Sequence, residues 1–361
     1  MELTAPALQG LRVLEVSARS SAAFAGRLFA DSGAEVTSIR TAGIAPGAHL
    51  ALYLDRGKRQ IEVDSDGPGS LERIGAIATD YDLMVTDLDP REIERLGLHT
   101  ATGGRLRARV LITPFGMTGP YRDRPATSAT ILASSGHTFL LGEPGLAPLT
   151  LPGDYVGYQS ALYAYSAALA VLLQARRDGN AAARTVEVSE LEALASLHQH
   201  TTVTYTYSGH IRIRKGNRWD GIHPITILPC ADGWFGMCIV ATFWENFARW
   251  LGPHWLTDPR FAVLTNRIEH ASDLDEEIKL AIAGQTKVAL QEEGQSRRRV
   301  PVGAVRTPAE LLHDPQLVER EFWSHEVVDG RPVLFPSRPF RFLEDDEVSA
   351  PVAHEAAERR S

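Results

Sequence analysis

The sequence predicts a two-domain α/β protein whose large domain is built on a mainly parallel, doubly wound sheet. Three observations predict it. The chain has 361 residues, room for two domains at roughly 150 residues each. Short β runs separated by single helical stretches fill its first third. Over Thr201–Gly221 the composition shifts to polar, aromatic and basic residues.

Taken in order, Arg12–Val16 is a short β run, and Ala22–Ser32 has helical spacing with Phe24, Leu28 and Phe29 on one side. Gly33 stops that helix and Ala34–Ile39 forms the next strand, which completes a βαβ unit. A second unit follows in Gln60–Val63, a helix opened by Pro68, and Asp82–Val85; Arg109–Ile112 adds another strand. A helix rich in Ala and Leu runs from Asp154 to about Arg177, Thr185–Val188 returns to the sheet, and Glu190–His200 is helical again. Together these make a Rossmann-like large domain over residues 1–205. Residues 206–225 form a crossing linker, since Thr201–Gly221 does not read as core. Residues 226–325 form a smaller α+β domain, with a strand at Gly233–Met237, an aromatic helix at Phe243–Trp250 and two amphipathic helices. Residues 326–361 are expected to return to the large domain through the proline-rich, β-like Val327–Phe342, with Ala350–Ser361 frayed.

Composition narrows the function classes. Hydrophobic residues at 44% and charged residues at 23% exclude a disordered or fibrous chain. A formal charge of −8 argues against gripping nucleic acid through a general positive field. The two cysteines, Cys230 and Cys238, cannot staple a fold of this size. No signal peptide is visible at Met1–Ala5, and the most apolar stretch, Ala161–Leu173, is too short to span a bilayer and reads as a buried helix. A soluble cytoplasmic protein is expected.

The first βαβ turn, Ser17–Ala23, lacks G-x-G-x-x-G, so neither NAD nor FAD is expected. Its small residues at a helix N-terminus could present backbone N–H groups to a nucleotide diphosphate; ordinary N-capping by serine fits the same residues.

An ordered set of motifs then points further. The opening Leu8-Gln9-Gly10-Leu11-Arg12-Val13-Leu14-Glu15-Val16-Ser17 is followed by Leu28-Phe29-Ala30-Asp31-Ser32-Gly33-Ala34-Glu35-Val36. Next come Gly57-Lys58-Arg59-Gln60-Ile61-Glu62-Val63-Asp64, Glu94-Arg95-Leu96-Gly97-Leu98, and Phe115-Gly116-Met117-Thr118-Gly119-Pro120-Tyr121-Arg122-Asp123-Arg124-Pro125. Gly153-Asp154, Val186-Glu187-Val188-Ser189, Gly216-Asn217-Arg218, Pro229-Cys230-Ala231-Asp232-Gly233-Trp234, Asp258-Pro259-Arg260-Phe261 and Asp314-Pro315-Gln316 continue the series. From residue 8 to about 342 the chain resembles the class III CoA-transferases (the CaiB/BaiF family).

The resemblance implies an interlocked-ring homodimer in which two chains thread through one another. It implies acyl-CoA and a small carboxylic acid as substrates, with no metal, no tightly bound cofactor, no nucleic acid and no membrane partner. The family's catalytic aspartate falls on Asp154. A carboxylate there would attack an acyl-CoA thioester to give a mixed anhydride and CoA thiolate, and the thiolate would return to form an aspartyl-CoA thioester. Read by itself, apart from the resemblance, Asp154 is an ordinary N-cap aspartate. Arg19, Ser20, Ser21, Lys58, Arg59, Arg95 and Arg124 are the expected contacts to coenzyme A. Arg212, Arg214, Lys215 and Arg218 form a second basic run beside the crossing. His198 and His200 are two apart and cannot share a helix face as a metal pair, and His223, before Pro224, reads as a loop residue.

The chain departs from the family at four places. Ala126-Thr127-Ser128 follows Arg124-Pro125, where the racemase branch needs a histidine, which argues against racemisation. Ala22-Ala23 replaces a Gly-Pro pair. Asp87-Leu88 replaces Asn-Phe and puts an acid near the expected nucleotide. The helix after Asp154 is lengthened, with the family glycine replaced by Gly157 or Ala161. The rival readings are therefore another acyl-CoA reaction on the same scaffold, of racemase or dehydratase type, and a CoA-ester-binding dimer without catalysis.

Overall fold

A computed structural model describes residues 6–40, 48–61, 70–179, 182–219 and 221–342. Glu62, Val63 and Pro68, and the tail Ala350–Ser361, lie outside them. The chain forms two compact units, Met1–Thr307 and Pro308–Ser361.

The first unit opens with β1 (Arg12–Ser17), α1 (Ser20–Asp31), β2 (Glu35–Arg40), α2 (Ala48–Leu54) and β3 (Arg59–Ile61). It continues with α3 (Ser70–Ala78), β4 (Leu83–Thr86), α4 (Pro90–Arg95) and β5 (Ala108–Thr113). Then come α5 (Ser128–Ser134), α6 (His137–Leu140), α7 (Tyr155–Arg177), β6 (Arg184–Ser189) and α8 (Glu190–Ala195). The six strands form one parallel sheet in the order β3-β2-β1-β4-β5-β6. Strand order reverses between β1 and β4, and in such sheets ligands bind in the crevice at the carboxyl ends of those two strands.

Both faces of the sheet are covered, which is why β1 and β4 read as mainly apolar runs, with the buried Glu15 of β1 the charged exception. On one face Val13, Val36, Leu83, Val85 and Val110 pack against Phe29 of α1 and Ala161, Ala164 and Ala168 of α7. On the other, Leu14, Val16, Ile39 and Met84 pack against Ile74, Ile93 and Leu96. The α7 stripe is alanine, so its backbone lies close over the sheet and beside α1. That helix spans 23 residues and is apolar enough to cross a membrane by length and composition. Here its alanine stripe, with Val156 and Ser160, is buried against the core, while Leu162, Tyr163 and Leu173 are exposed.

The second core lies in the same unit. Strands β7 (Ile225–Cys230), β8 (Gly233–Cys238) and β9 (Val302–Ala304) form an antiparallel sheet that packs on Trp244, Phe247, Trp255, Phe261, Leu274 and Ile278. The segment 206–225, expected to be a crossing linker, lies within the first compact unit, which runs to Thr307. Hydrogen bonds explain the continuity: Gly216 N–H donates to Gly142 O at 3.1 Å, Arg214 to Phe139 O at 3.0 Å, and Arg218 to Asp275 at 2.8 Å. The helical stretch after β6 also runs further than expected, through Gln199–Ser208, and none of that last helix's residues is buried. In the second unit, β10 (Trp323–Val328) and β11 (Arg331–Pro336) form a hairpin. Asp329 and Gly330 turn it with φ of 50° and 75°, the paired positive values that an Asp-Gly hairpin turn supplies.

Candidate active site

A cavity of 230 Å³ opens at the crevice where the strand order reverses. The turn from β1 into α1 lines it with Ala18, Arg19 and Ser20, and α2 adds Leu50. The segment entering α5 contributes Ala126, Thr127 and Ser128, and the start of α7 contributes Asp154 and Gly157. Glu190, the first residue of α8, completes the wall.

Asp154 stands at the N-cap position of α7, yet its side chain makes no capping hydrogen bond. Its Oδ1 instead accepts from Ser128 Oγ at 3.2 Å. An N-cap aspartate normally turns its oxygen onto the N–H of the second or third helical residue. This one turns into the cavity. Close approach of α1 to α7 sharpens its placement, because a Cβ added to Gly157 would lie 2.3 Å from Ser20 Oγ and 3.1 Å from Asp154 Oδ1.

The β1–α1 turn does not present an empty anion hole. Asp87, fully buried at the end of β4, accepts from the N–H groups of Ala18 at 2.8 Å, Arg19 at 3.1 Å and Ala22 at 2.8 Å. The N-cap of α1 is Arg19, which has no acceptor to offer, so a carboxylate from the adjacent strand caps the helix. Burial pushes the Asp87 carboxyl up, while Arg19 and the three N–H groups pull it back. Ser21 is 1% exposed and donates to Glu190 at 2.9 Å and Asp87 at 3.3 Å. Ser21 and the turn's N–H groups, expected to meet a nucleotide diphosphate, are thus paired with internal carboxylates.

Lys58, expected at the same ligand, is also paired inside the protein. Its side chain and that of Glu15 are both 0% exposed, and its ammonium donates to Glu15 Oε2 and to Ala23 O, each at 2.6 Å. It lies in the protein interior. Arg59, Arg95 and Arg124 are exposed. Arg124 lies two residues before the cavity wall and stacks 3.9 Å from the centre of the Tyr121 ring. Arg95 ends α4, whose Glu94 is paired with Arg122, a near neighbour of Arg124 in the chain. Arg19 and Ser20 lie on the Asp154 cavity itself.

Of the second basic run, Arg218 pairs with Asp275 and Arg212 stacks on Trp219 at 4.5 Å. Lys215 and Arg218 line a separate cavity of 560 Å³ with Trp234 and Lys279. His223 is in a loop, as expected, but it is buried and lies 3.1 Å from Asp275. His198 faces His137 at 3.0 Å rather than His200. Among the described residues no group of three or more His, Cys, Asp or Glu could hold a metal ion.

Glu190 was missed as a site residue. It is 6% exposed, and burial pushes its carboxyl up, opposed by Arg19 and Ser21 and reinforced by Asp87 and Asp154. A signal was available: an acid directly after a parallel strand lies at the edge where such sheets bind ligands.

Fold and site together define an α/β protein with a small cavity at its switch point and a side-chain carboxylate turned into it. The model of CoA-transferase family III matches residues 8–352, and the protein belongs to that family. It is similar to a succinyl-CoA–D-citramalate CoA-transferase of Chloroflexus aurantiacus, 31% identical over 87% of this chain and 82% of the relative. It is also similar to a succinyl-CoA:(R)-benzylsuccinate CoA-transferase subunit of Thauera aromatica, 28% identical over 83% and 76%. A CaiB/BaiF family protein of Brucella suis shares the fold, with a TM-score of 0.80 and 23% identity over 92% of each chain.

Proposed function

We propose that this protein transfers coenzyme A from an acyl-CoA donor to a carboxylic acid, with Asp154 as nucleophile. The observation that carries the reading is the turn of Asp154 away from its own helix and into the cavity. Relatives named as CoA-transferases support it, four of them with succinyl-CoA in their names.

The step balances without a redox group. An Asp154 oxygen attacks the thioester carbonyl, the C–S bond breaks, and CoA leaves as thiolate. That thiolate attacks the aspartyl carbonyl of the anhydride and releases the donor's carboxylate, leaving an aspartyl-CoA thioester. The incoming carboxylate then displaces the thiolate to form a new anhydride, and the thiolate attacks the new acyl carbonyl to give product and free Asp154. Ser128 holds the nucleophile's orientation, and the first-turn N–H groups of α7 favour the negative charge that gathers there. Arg95 and Arg124 are the proposed phosphate contacts of coenzyme A.

Intact-protein mass spectrometry with a panel of acyl-CoA esters tests the reading. Wild type should carry a hydroxylamine-sensitive adduct on Asp154, and Asp154→Asn should carry none. Binding of every ester without any adduct would refute it.

Proton exchange is the rival with an observation of its own, because Asp154 and Glu190 border one cavity as two carboxyl groups. Deuterium wash-in at the acyl α-carbon without a second acid would select it. A binding-only dimer would keep full ester affinity in Asp154→Ala and show no turnover.

The protein is further proposed to be a cytosolic homodimer. The helix Gln199–Ser208 buries none of its residues, and Val203, Tyr205, Tyr207, Ile211 and Ile213 are 55–93% exposed along one stretch. Soluble monomers rarely leave such a run uncovered.

A further inference from the structure

The cavity that holds Asp154 has one cation in its wall among the described residues, Arg19. Its side chain is 26% exposed, and its guanidinium is held from behind. Nε donates to Asp87 O at 3.0 Å, Nη2 donates to Ile112 O at 3.2 Å, and Nη1 reaches Glu190 Oε2 only at a long 3.5 Å. The two carbonyls belong to the ends of β4 and β5, so the rigid sheet sets the guanidinium's position. Five N–H donors in a planar fork exceed the three contacts made, and the loosest of these is the one toward the cavity wall. An arginine in this state has donors left for a ligand.

The chemistry that fits those donors is a carboxylate, which a guanidinium binds through paired charge-assisted hydrogen bonds. Asp154 already places one carbonyl-reactive oxygen in the same small space. A ligand that meets both must carry an acyl carbon and a second carboxylate a short chain apart. Small-molecule pockets usually span roughly 300–1,000 Å³, so 230 Å³ suits a short acyl group and not a long fatty chain.

We propose that Arg19 is a specificity residue of the acyl site, which binds the far carboxylate of a short dicarboxylic acyl group while its thioester carbonyl faces Asp154. The proposal rests on the transferase reading for the role of Asp154, but the Arg19 contact itself concerns binding. Asp87 and Glu190 are positioning residues. They hold the guanidinium: Asp87 through its backbone carbonyl, and Glu190 through the long contact from Nη1 to its Oε2.

The test compares succinyl-CoA with isocaproyl-CoA, in which an isopropyl group replaces the far carboxylate. Calorimetric Kd values are measured on the Asp154→Asn background, where no chemistry follows, so failure of Asp154 as nucleophile leaves this readout intact. The wild-type Arg19 protein should bind succinyl-CoA more tightly. Arg19→Gln should lower the selectivity ratio by about 10- to 100-fold, the range of a hydrogen bond to a charged group. Arg19→Lys should lower it less, since it keeps the charge and loses the fork. Using a ratio of two ligands cancels any general loss of folded protein, and Arg19→Lys serves if Arg19→Gln does not fold. A ratio within threefold of wild type in both variants overturns the proposal, as does equal affinity for the two esters when Arg19 is present. Absence of an Asp154 adduct with a preserved Arg19-dependent ratio would overturn the nucleophile reading alone.

Discussion

Replacing Lys58 with methionine separates a structural lysine from a ligand-binding one. The ammonium donates to Glu15 Oε2 and Ala23 O, each at 2.6 Å, with both side chains of the pair fully buried. Glu15 Oε1 receives Ser17 at 2.9 Å and Ser38 at 2.8 Å. Removal of one partner from a buried ion pair costs about 3–5 kcal/mol. Protonation sets a ceiling on the charge part. Taking a carboxyl of ordinary pKa 4.5 to its neutral form at pH 7 costs about 3.4 kcal/mol, at 1.36 kcal/mol per unit.

Burial already pushes the Glu15 carboxyl up, and Lys58 is the largest influence holding it down. Without Lys58 it rises further. A carboxyl raised on folding loses stability as pH climbs from its unfolded value toward its folded one. At pH 5 the same neutralisation costs only about 0.7 kcal/mol. Lys58→Met should therefore lose about 3 kcal/mol at pH 7 and recover most of it at pH 5. Urea unfolding followed by circular dichroism at the two pH values measures both. The double variant Glu15→Leu, Lys58→Met should regain most of the loss at pH 7, since an apolar pair can replace a buried ionic one. A loss below about 1 kcal/mol at pH 7, or a weaker coenzyme A affinity with stability unchanged, would refute the assignment and return Lys58 to the ligand.

Gly157→Ala places a methyl 2.3 Å from Ser20 Oγ and 3.1 Å from Asp154 Oδ1. The serine must turn and the carboxylate shift, so kcat should fall about 10- to 100-fold while stability changes little, because small displacements of a reacting group are costly; Ser20→Ala in the same chain should restore part, and an unchanged kcat would mean Asp154 is not the reacting group. For the dimer, light scattering should give twice the chain mass of 39.5 kDa, and Tyr207→Asp, at a side chain 93% exposed, should populate the single-chain mass. A wild-type protein at single-chain mass would remove that proposal.

Much of the parallel sheet was legible from residue order. The β runs at Arg12–Val16 and Arg109–Ile112 fall inside the observed β1 and β5, since a strand covered on both faces is mostly apolar, here with exceptions such as Glu15 and Arg109. The extent of Gln199–Ser208 was not legible, because a helix that buries nothing carries no apolar period to read. Nor was the single compact unit through Thr307, which depends on hydrogen bonds such as Gly216 to Gly142 between distant stretches.

The sequence by itself determined the doubly wound sheet, the absence of a dinucleotide fingerprint, the family, and Asp154 as the residue to watch. Each of these depends on residue type and spacing along one stretch of chain, or on their order. Only the tertiary structure decided what each charge faces. Lys58, Ser21 and Arg19 look alike in sequence as polar neighbours of a phosphate. In the fold the first closes on Glu15, the second on Asp87 and Glu190, and the third lines the cavity beside Asp154. The physical reason is that burial and pairing depend on partners such as Asp87 and Glu190, 65 and 169 positions away from Ala22 and Ser21 respectively. Local pattern constrains neither, and the same carboxylate that looked like an obstacle to a nucleotide proved to be the cap of α1.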